Sequence, residues 1–145
     1  MKKVLVAVDG SQRERGVIEA GVLFAKSAGA KLILLKVVGI PVAIPMEAFA
    51  MAPVDLERLL QDNAKADVDR LMRDVPEELR GKALTATGTA WDCICRTARD
   101  ENVDAIVIGS HGYGGIDRLL GTTAAKVVNH ADRSVFVVRS PAPST

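Results

Sequence analysis

Glycine, serine and threonine cluster in one stretch of the chain in a pattern suited to binding an anion. The apolar run over residues 105–108 ends in Gly109-Ser110-His111-Gly112, and Gly121-Thr122-Thr123 later opens a helical pattern. A glycine turn that leaves a strand lets a ligand approach the backbone, and N–H groups at a helix N-terminus bind phosphate. These residues therefore indicate a bound phosphate group, and the phosphate of a nucleotide fits such a site best.

The composition predicts one ordinary globular domain. The chain has 145 residues, of which 48% are apolar and 26% charged, a balance typical of folded soluble domains. We expect a single domain over residues 1–140 and a disordered tail over 141–145. The net charge of +1 and the aromatic content of 3% argue against nucleic acid and membrane surfaces as partners, because they provide neither electrostatic attraction nor a stacking platform.

The apolar stretches are too short for export or membrane insertion. The amino-terminal run over residues 4–8 ends at a charge and is shorter than the core of a signal peptide. No run approaches the ~18 apolar residues of a membrane span. We therefore expect a cytoplasmic protein. Residues two apart on a helix lie on roughly opposite faces, so Cys93 and Cys95 are predicted to be reduced thiols, with Cys95 semi-buried.

Strand and helix patterns alternate along the chain. Ser11 and Glu14 form a capping-box pair that predicts the start of the first helix, and Gly29 predicts its end. The apolar positions at helical spacing in this helix are Val17, Ala20, Phe24 and Ala28. Further helices are predicted over 55–75, over 91–101 and from Gly121 onward, and strands over 3–9, 31–38, 82–87, 105–108 and 134–139.

This alternation predicts an α/β fold. Parallel strands need crossover connections, so helices should cover both faces of an open five-stranded parallel sheet, as in Rossmann-like folds. Right-handed crossovers with one reversal of direction give the strand order 3-2-1-4-5. Ligands bind where the order reverses, beyond the carboxyl ends of the first and fourth strands. Asp9 should therefore lie beside Gly109, although 100 residues separate them.

Two familiar nucleotide motifs do not occur in the sequence. It contains no G-x-x-x-x-G-K-[ST], which excludes a P-loop enzyme. The first strand ends in Asp9-Gly10-Ser11 rather than G-x-G-x-x-G, and no acid follows the second strand to hold a ribose, which excludes a Rossmann dinucleotide site. The apolar, proline-broken segment 39–53 is interpreted either as a loop over the sheet end or as a flexible lid that contacts partners.

The chain resembles the universal stress protein family along its whole length, in KKVLVAVDGS, LILLKVV, AIVIGSHG, LLGTTAAKVV and SVFVVR. Members of the family that bind ATP carry the pattern G-x2-G-x9-G-[ST]. Gly109, Gly112 and the pair Gly121-Thr122 fit this pattern, with eight residues rather than nine between Gly112 and Gly121. The resemblance implies the same α/β fold and an ATP site.

The resemblance also implies a role for residues at three strand ends and one helix start. Asp9 corresponds to the acidic contact with the nucleoside, and Ala7, Val8 and Val37 correspond to positions beside the base. The glycine loop and the threonine pair correspond to positions at the ribose and the phosphates. The implied nucleotide-binding residues are Ala7, Val8, Asp9, Val37, Ile108, Gly109, Ser110, His111, Gly112, Gly121, Thr122 and Thr123.

Each of these assignments has a structural alternative. Asp9 could serve the turn together with Ser11, the apolar strand ends could be plain core, and the glycines could form an ordinary turn. Thr122 could be a helix N-cap, a role compatible with ligand binding.

The other polar residues near this region are interpreted as structural. His111 has no acidic or nucleophilic partner in the sequence, so we expect a loop residue rather than a catalytic base. His130 complements the dipole at the end of the fourth helix, and Lys126 is expected on the surface. Asp117 and Arg118 are expected to be solvated loop charges rather than ligands of Mg²⁺ or phosphate. No catalytic or metal-binding residue is assigned.

Three functions follow as hypotheses. The leading one is a stress-response or signalling module that binds ATP, with or without Mg²⁺, rather than turning it over rapidly. Fast phosphoryl transfer needs a positioned base and cationic clamps, so slow hydrolysis is the most that we expect. The alternative is a dimeric stress protein that binds no nucleotide and acts through protein partners. The resemblance and the apolar edge strand 134–139 both favour a homodimer. A transferase related to ATP pyrophosphatases lacks support, because no S-G-G-x-D-S loop occurs.

Overall fold

The computed structural model describes residues 2–39, 53–110 and 120–139, with only the backbone of residues 53–55. These residues form alternating strands and helices. The strands are β1 (Lys3–Val8), β2 (Lys31–Val38), β3 (Arg80–Thr87), β4 (Ala105–Gly109) and β5 (Ser134–Val138). The helices are α1 (Glu14–Ala28), α2 (Pro53–Arg73), α3 (Ala90–Asp100) and α4 (Thr122–His130), and a 3₁₀ turn, Glu77–Leu79, precedes β3.

The five strands form one parallel sheet. Their order is β3-β2-β1-β4-β5, and every neighbouring pair is parallel. The predicted fold class and strand order are therefore confirmed. The continuous apolar runs of β2 and β4 are explained by their position inside the sheet, where helices cover both faces. β3 and β5 lie at the two edges.

The helices divide into two layers. Helices α1 and α2 pack on one face of the sheet, and α3 and α4 pack on the other. Successive residues of a strand point to opposite faces, so each central strand serves both cores. In β1, Val4 and Val6 join the α1–α2 core, and Leu5 joins the α3–α4 core.

The predicted capping box at the start of α1 is wrong. The helix begins at Glu14, and its N-cap is Arg13, whose side chain makes no cap hydrogen bond. Ser11 Oγ accepts a hydrogen bond from the Arg13 N–H (3.2 Å), and Glu14 Oε1 accepts one from the Gly10 N–H (3.1 Å). Both side chains stabilise the turn that precedes the helix, because a turn over residues 11–13 separates β1 from α1. The predicted end of α1 is confirmed by Gly29, which is left-handed (φ 66°).

Of the apolar positions at helical spacing in α1, only Val17 is fully buried. The residues that the helix buries are Val17, Ile18, Gly21 and Ala25. Ala20, Phe24 and Ala28 are only partly buried. A Cβ atom on Gly21 would lie 2.5 Å from Val6 Cγ2 in the central strand, so the absence of a side chain lets α1 approach β1 closely. Apolar periodicity does not register a glycine that packs in this way.

Both cysteines are free thiols, as predicted, and both are buried. Cys93 is 1% exposed and Cys95 is 8% exposed, so the prediction of a semi-buried Cys95 is wrong. Helix α3 contacts the sheet on one side and α4 on another, and this covers two sides of the helix at once. Burial raises the pKa of the Cys95 thiol.

The remaining differences concern element ends. β1 ends at Val8, so Asp9 lies just beyond the strand, and β3 begins at Arg80, two residues before its predicted start. The 3₁₀ turn was not predicted. Most of segment 39–53 and the tail lie outside the described residues, so their predicted roles stay predictions. Within the described ranges, no helix combines the length and apolar character needed to cross a membrane.

Candidate functional site

A crevice opens between β1 and β4 at the point where the strand order reverses. These two strands pair from Val4 and Ala105 to Val6 and Val107, so their pairing stops two residues before the end of each strand. On their outer sides, both strands stay paired up to their last residue. The same β1–β4 offset places Asp9 level with Ser110, in agreement with the predicted juxtaposition of the two chain segments.

The side chains at the strand ends divide between the two faces of the sheet. Ala7 and Val37 are partly buried against the α3–α4 core. Val8 is 5% exposed and belongs to the α1–α2 core, so only its backbone can line a slot formed by the other two. Sequence reasoning missed Ala86, which is the β3 partner of Val37 and packs on the same core. The strand order and the two-residue alternation of β3 could have identified it.

Asp9 has one carboxylate oxygen in use and one available. Its Oδ1 accepts a hydrogen bond from the Ser11 N–H at 2.9 Å, which is the predicted turn role. The side chain is exposed, and no other described residue donates to it. An ionised carboxylate offers about four acceptor positions. The turn role and a ligand role are therefore compatible.

The end of β4 is fixed by packing and by backbone hydrogen bonds. Ile108 is 3% exposed and lies in the α3–α4 core. A Cβ on Gly109 would lie 3.1 Å from Val17 Cγ2 of α1, so the packing of α1 favours glycine here. A larger residue at this position would disturb the fold as well as any ligand.

Ser110 is a buried polar residue that directly follows β4. Its N–H donates to the Val138 carbonyl (2.9 Å), and its carbonyl accepts from the Gly121 N–H (2.8 Å). The residue is 1% exposed, and its hydroxyl has no hydrogen-bond partner among the described residues. A buried hydroxyl without a partner is costly, so this group is a candidate hydrogen-bond donor to a ligand.

The start of α4 differs in detail from the predicted phosphate cradle. Gly121 is the N-cap in an extended conformation, which rules out the alternative of a Thr N-cap. Its N–H already donates to Ser110, so it is not free for a phosphate. Thr122 and Thr123 are the first two residues of the helix and are exposed, and no side chain within the described ranges caps this end. The first-turn N–H groups and the two hydroxyls remain as donors.

The parallel architecture adds a favourable electrostatic field. Each helix follows a strand and returns antiparallel to it, so the N-termini of α1, α3 and α4 point to the edge that carries the crevice. The positive ends of the helix dipoles favour a bound anion there.

The remaining predicted residues fall into two groups. His111, Gly112, Asp117 and Arg118 lie outside the described residues. His130 stacks on Trp91 with ring centroids 4.6 Å apart, and the Lys126 ammonium lies 5.8 Å from the centre of the same ring. The imidazole therefore stacks on the aromatic ring of α3, and the ammonium group lies within cation–π range of it. No cluster of three or more His, Cys, Asp or Glu side chains suited to a metal ion is found in the described ranges.

Comparison with known proteins decides the family. A model of the universal stress protein family matches residues 1–139. The chain belongs to the universal stress protein family. It is 31% identical over 140 residues to universal stress protein A homolog 1 of Coxiella burnetii, covering 94% of this chain and 95% of that one.

Solved universal stress proteins share the fold. UspA from Lactobacillus plantarum superimposes with a TM-score of 0.77 at 26% identity, covering 95% of this chain and 97% of that one. A universal stress protein in complex with cAMP superimposes with a TM-score of 0.62 at 22% identity, covering 96% and 98% of the two chains. The predicted family is thus confirmed, and the crevice occupies the switch point of a fold that these proteins share.

Proposed function

We propose that this protein binds an adenine nucleotide, with ATP as the ligand, in the crevice between β1 and β4. The observation that carries the proposal is the convergence of three chemically different elements at one sheet edge. These are the exposed Asp9 carboxylate, the small apolar surface of Ala7 and Val37, and the start of α4 at Thr122. They suit a sugar or amine, a flat base and a phosphate, respectively.

The base and the sugar would lie at the β1–β2 side. Ala7, Val37 and Ala86 form a narrow apolar surface on the α3–α4 side of the sheet, which suits the faces of a planar ring. The free oxygen of Asp9 can accept a hydrogen bond from a ribose hydroxyl or from the adenine amine. The Val8 side chain takes no part, and its backbone is what remains for a contact.

The phosphates would lie at the β4–α4 side. The N–H groups of Thr122 and Thr123 and their hydroxyls can donate to phosphate oxygens at the positive end of the helix dipole. The buried Ser110 hydroxyl has no partner in the described part of the chain and would be a further donor. His111 and Gly112 belong to the proposed ligand set through the family resemblance. Mg²⁺, where present, would accompany the phosphates.

The proposed role is a stress-response or signalling module that binds nucleotide rather than turning it over rapidly. The complex of a universal stress protein with cAMP supports adenine nucleotides as the ligand class. The proposal includes a cytoplasmic location, for which two free, buried thiols are typical.

A homodimer through residues 134–139 is a second proposal. β5 is an edge strand, and its Phe136 is 45% exposed. An apolar edge with unpaired backbone groups pairs readily with a second copy. In the alternative function, this dimer would act through protein partners without nucleotide.

The test is direct measurement of nucleotide. Purified protein is denatured, and the released small molecules are identified by mass spectrometry. Titration calorimetry of nucleotide-free protein follows with ATP, ADP, AMP, cAMP and GTP, each with and without Mg²⁺. We expect ATP to be released or to bind at micromolar concentrations, with GTP weaker. Absence of both released nucleotide and binding heat would refute the proposal, and ADP formed from added ATP would report slow hydrolysis.

A further inference from the structure

Lys36 is a charged residue at a position where the strand pattern calls for an apolar one. In β2, Leu32 and Leu34 point into the α1–α2 core, and Lys36 is the next residue in that alternation. Its side chain is only 20% exposed. A lysine so enclosed needs a partner for its charge.

Asp67 of α2 supplies that partner. Lys36 Nζ donates to Asp67 Oδ2 at 2.9 Å. This hydrogen bond and the lysine charge hold the pKa of the Asp67 carboxyl below its ordinary value. The ammonium group is therefore anchored to α2 rather than free in solvent.

The anchored ammonium also lies against the turn that carries Asp9. A Cβ atom built on Gly10 would be 3.6 Å from Lys36 Nζ, so the ammonium group borders the space beside this glycine. The β1–β2 register pairs Val8 with Lys36, so the lysine is level with the last residue before the turn. From the other side, Glu14 Oε1 accepts the Gly10 N–H at 3.1 Å. The turn thus lies between α1, which binds it through Glu14, and the Lys36–Asp67 pair.

We propose that Lys36 is a positioning residue of the nucleotide site, which supports the turn at residues 9–11 and couples α2 to the Asp9 carboxylate through Asp67. Gly10 is left-handed, with φ 78°, a conformation that glycine adopts without steric cost. Because glycine has no side chain to restrict its backbone, contacts from neighbouring residues are what limits the motion of this turn. Partly exposed ion pairs add little stability, so the effect to measure is order in the turn. The effect on ligand affinity rests on the proposed function, whereas the effect on the turn does not.

The experiment compares Lys36→Met, Asp67→Asn and Lys36→Arg with the matched control Asp69→Asn. Asp69 lies on the same helix and accepts from Lys65 Nζ at the same distance of 2.9 Å, but this second ion pair involves neither Lys36 nor the turn. Amide order parameters of Gly10 and Ser11 are measured by NMR without ligand. We expect a fall from about 0.85 toward 0.6 or lower in Lys36→Met, a smaller fall in Asp67→Asn, and no change in Lys36→Arg or the control.

Calorimetry with ATP gives the second readout. Changes that act through a coupled element shift affinity by about two- to thirtyfold, and we expect about three- to tenfold weaker binding for Lys36→Met, with Lys36→Arg close to wild type. Unchanged order parameters in Lys36→Met would overturn the proposal, whether or not the wild type binds nucleotide. A loosened turn with unchanged affinity would overturn the coupling to Asp9. If the wild type does not bind ATP but the order parameters change as expected, the proposed function is refuted and the role of Lys36 in the turn is not.

Discussion

Asp9→Asn separates the ligand role of Asp9 from its turn role. One carboxylate oxygen accepts the Ser11 N–H at 2.9 Å, and the other accepts from no described residue. Asparagine keeps one carbonyl oxygen for Ser11, and it replaces the other oxygen with an NH₂ donor. The variant therefore retains the turn and loses the acceptor that a ribose hydroxyl or an adenine amine would use.

The magnitude follows from the hydrogen bond that is lost. A hydrogen bond to a charged group contributes about 1.5–3 kcal/mol, and about 1.4 kcal/mol corresponds to a tenfold change in affinity. We expect ATP to bind about ten- to a hundredfold more weakly to Asp9→Asn. The free energy of unfolding should change by no more than about 0.5 kcal/mol, because the residue is exposed and keeps its bond to Ser11.

Titration calorimetry with ATP measures the affinity, and urea unfolding measures the stability. Asp100→Asn is the matched control, since Asp100 is an exposed carboxylate at the end of α3, away from the crevice. Asp9→Ala removes both acceptors and should lower affinity at least as much as Asp9→Asn. Affinity of Asp9→Asn within about twofold of the control would refute the ligand role. A loss of affinity matched by a large loss of stability would assign the effect to the turn.

The other predictions concern packing, pH and assembly. Gly21→Ala should destabilise the wild type by about 1–3 kcal/mol, because its Cβ would lie 2.5 Å from Val6 Cγ2, yet it should stabilise a Val6→Ala background. Urea unfolding of the two single variants and the double variant gives the interaction energy between the substitutions, and a value below about 0.5 kcal/mol would contradict this. Asp104 accepts the N–H groups of Lys2 and Lys3, and these bonds lower its pKa. The pKa of Asp104 is lower in the folded than in the unfolded protein. The stabilisation by its ionised carboxylate is therefore full above the ordinary aspartate pKa of about 3.9 and is lost as the pH falls through the folded pKa. Asp104→Asn should therefore lower Tm at pH 7 but not at strongly acidic pH, and an equal difference at both would be inconsistent with this linkage. Phe136→Lys places a charge on the β5 edge and should convert a dimer into a monomer in light scattering, with a Val128→Lys variant, at another exposed apolar residue, remaining dimeric. If light scattering shows that the wild type is itself a monomer, the proposed dimer is excluded.

The sequence by itself determined the strand order and the meeting of Asp9 with the end of β4. Parallel strands joined by helices have few allowed topologies, so the alternation of patterns was sufficient to place residues 100 positions apart at one edge. The family followed from motifs that the chain displays directly. Local signals were sufficient where the physics is local, as at the left-handed Gly29 that ends α1.

The tertiary structure alone decided which atoms of the site are free. Whether the Gly121 N–H faces a ligand or the Ser110 carbonyl depends on how the end of β4 packs against the start of α4. No local sequence pattern encodes the distance between these two groups. The capping box failed for a related reason, since Ser11 and Glu14 have better partners in the preceding turn. The position of the Lys36 ammonium beside Gly10 depends on strand register and on an anchor in α2. Long-range hydrogen bonds and packing set these details, whereas the periodicity of a sequence reports only which face a residue favours.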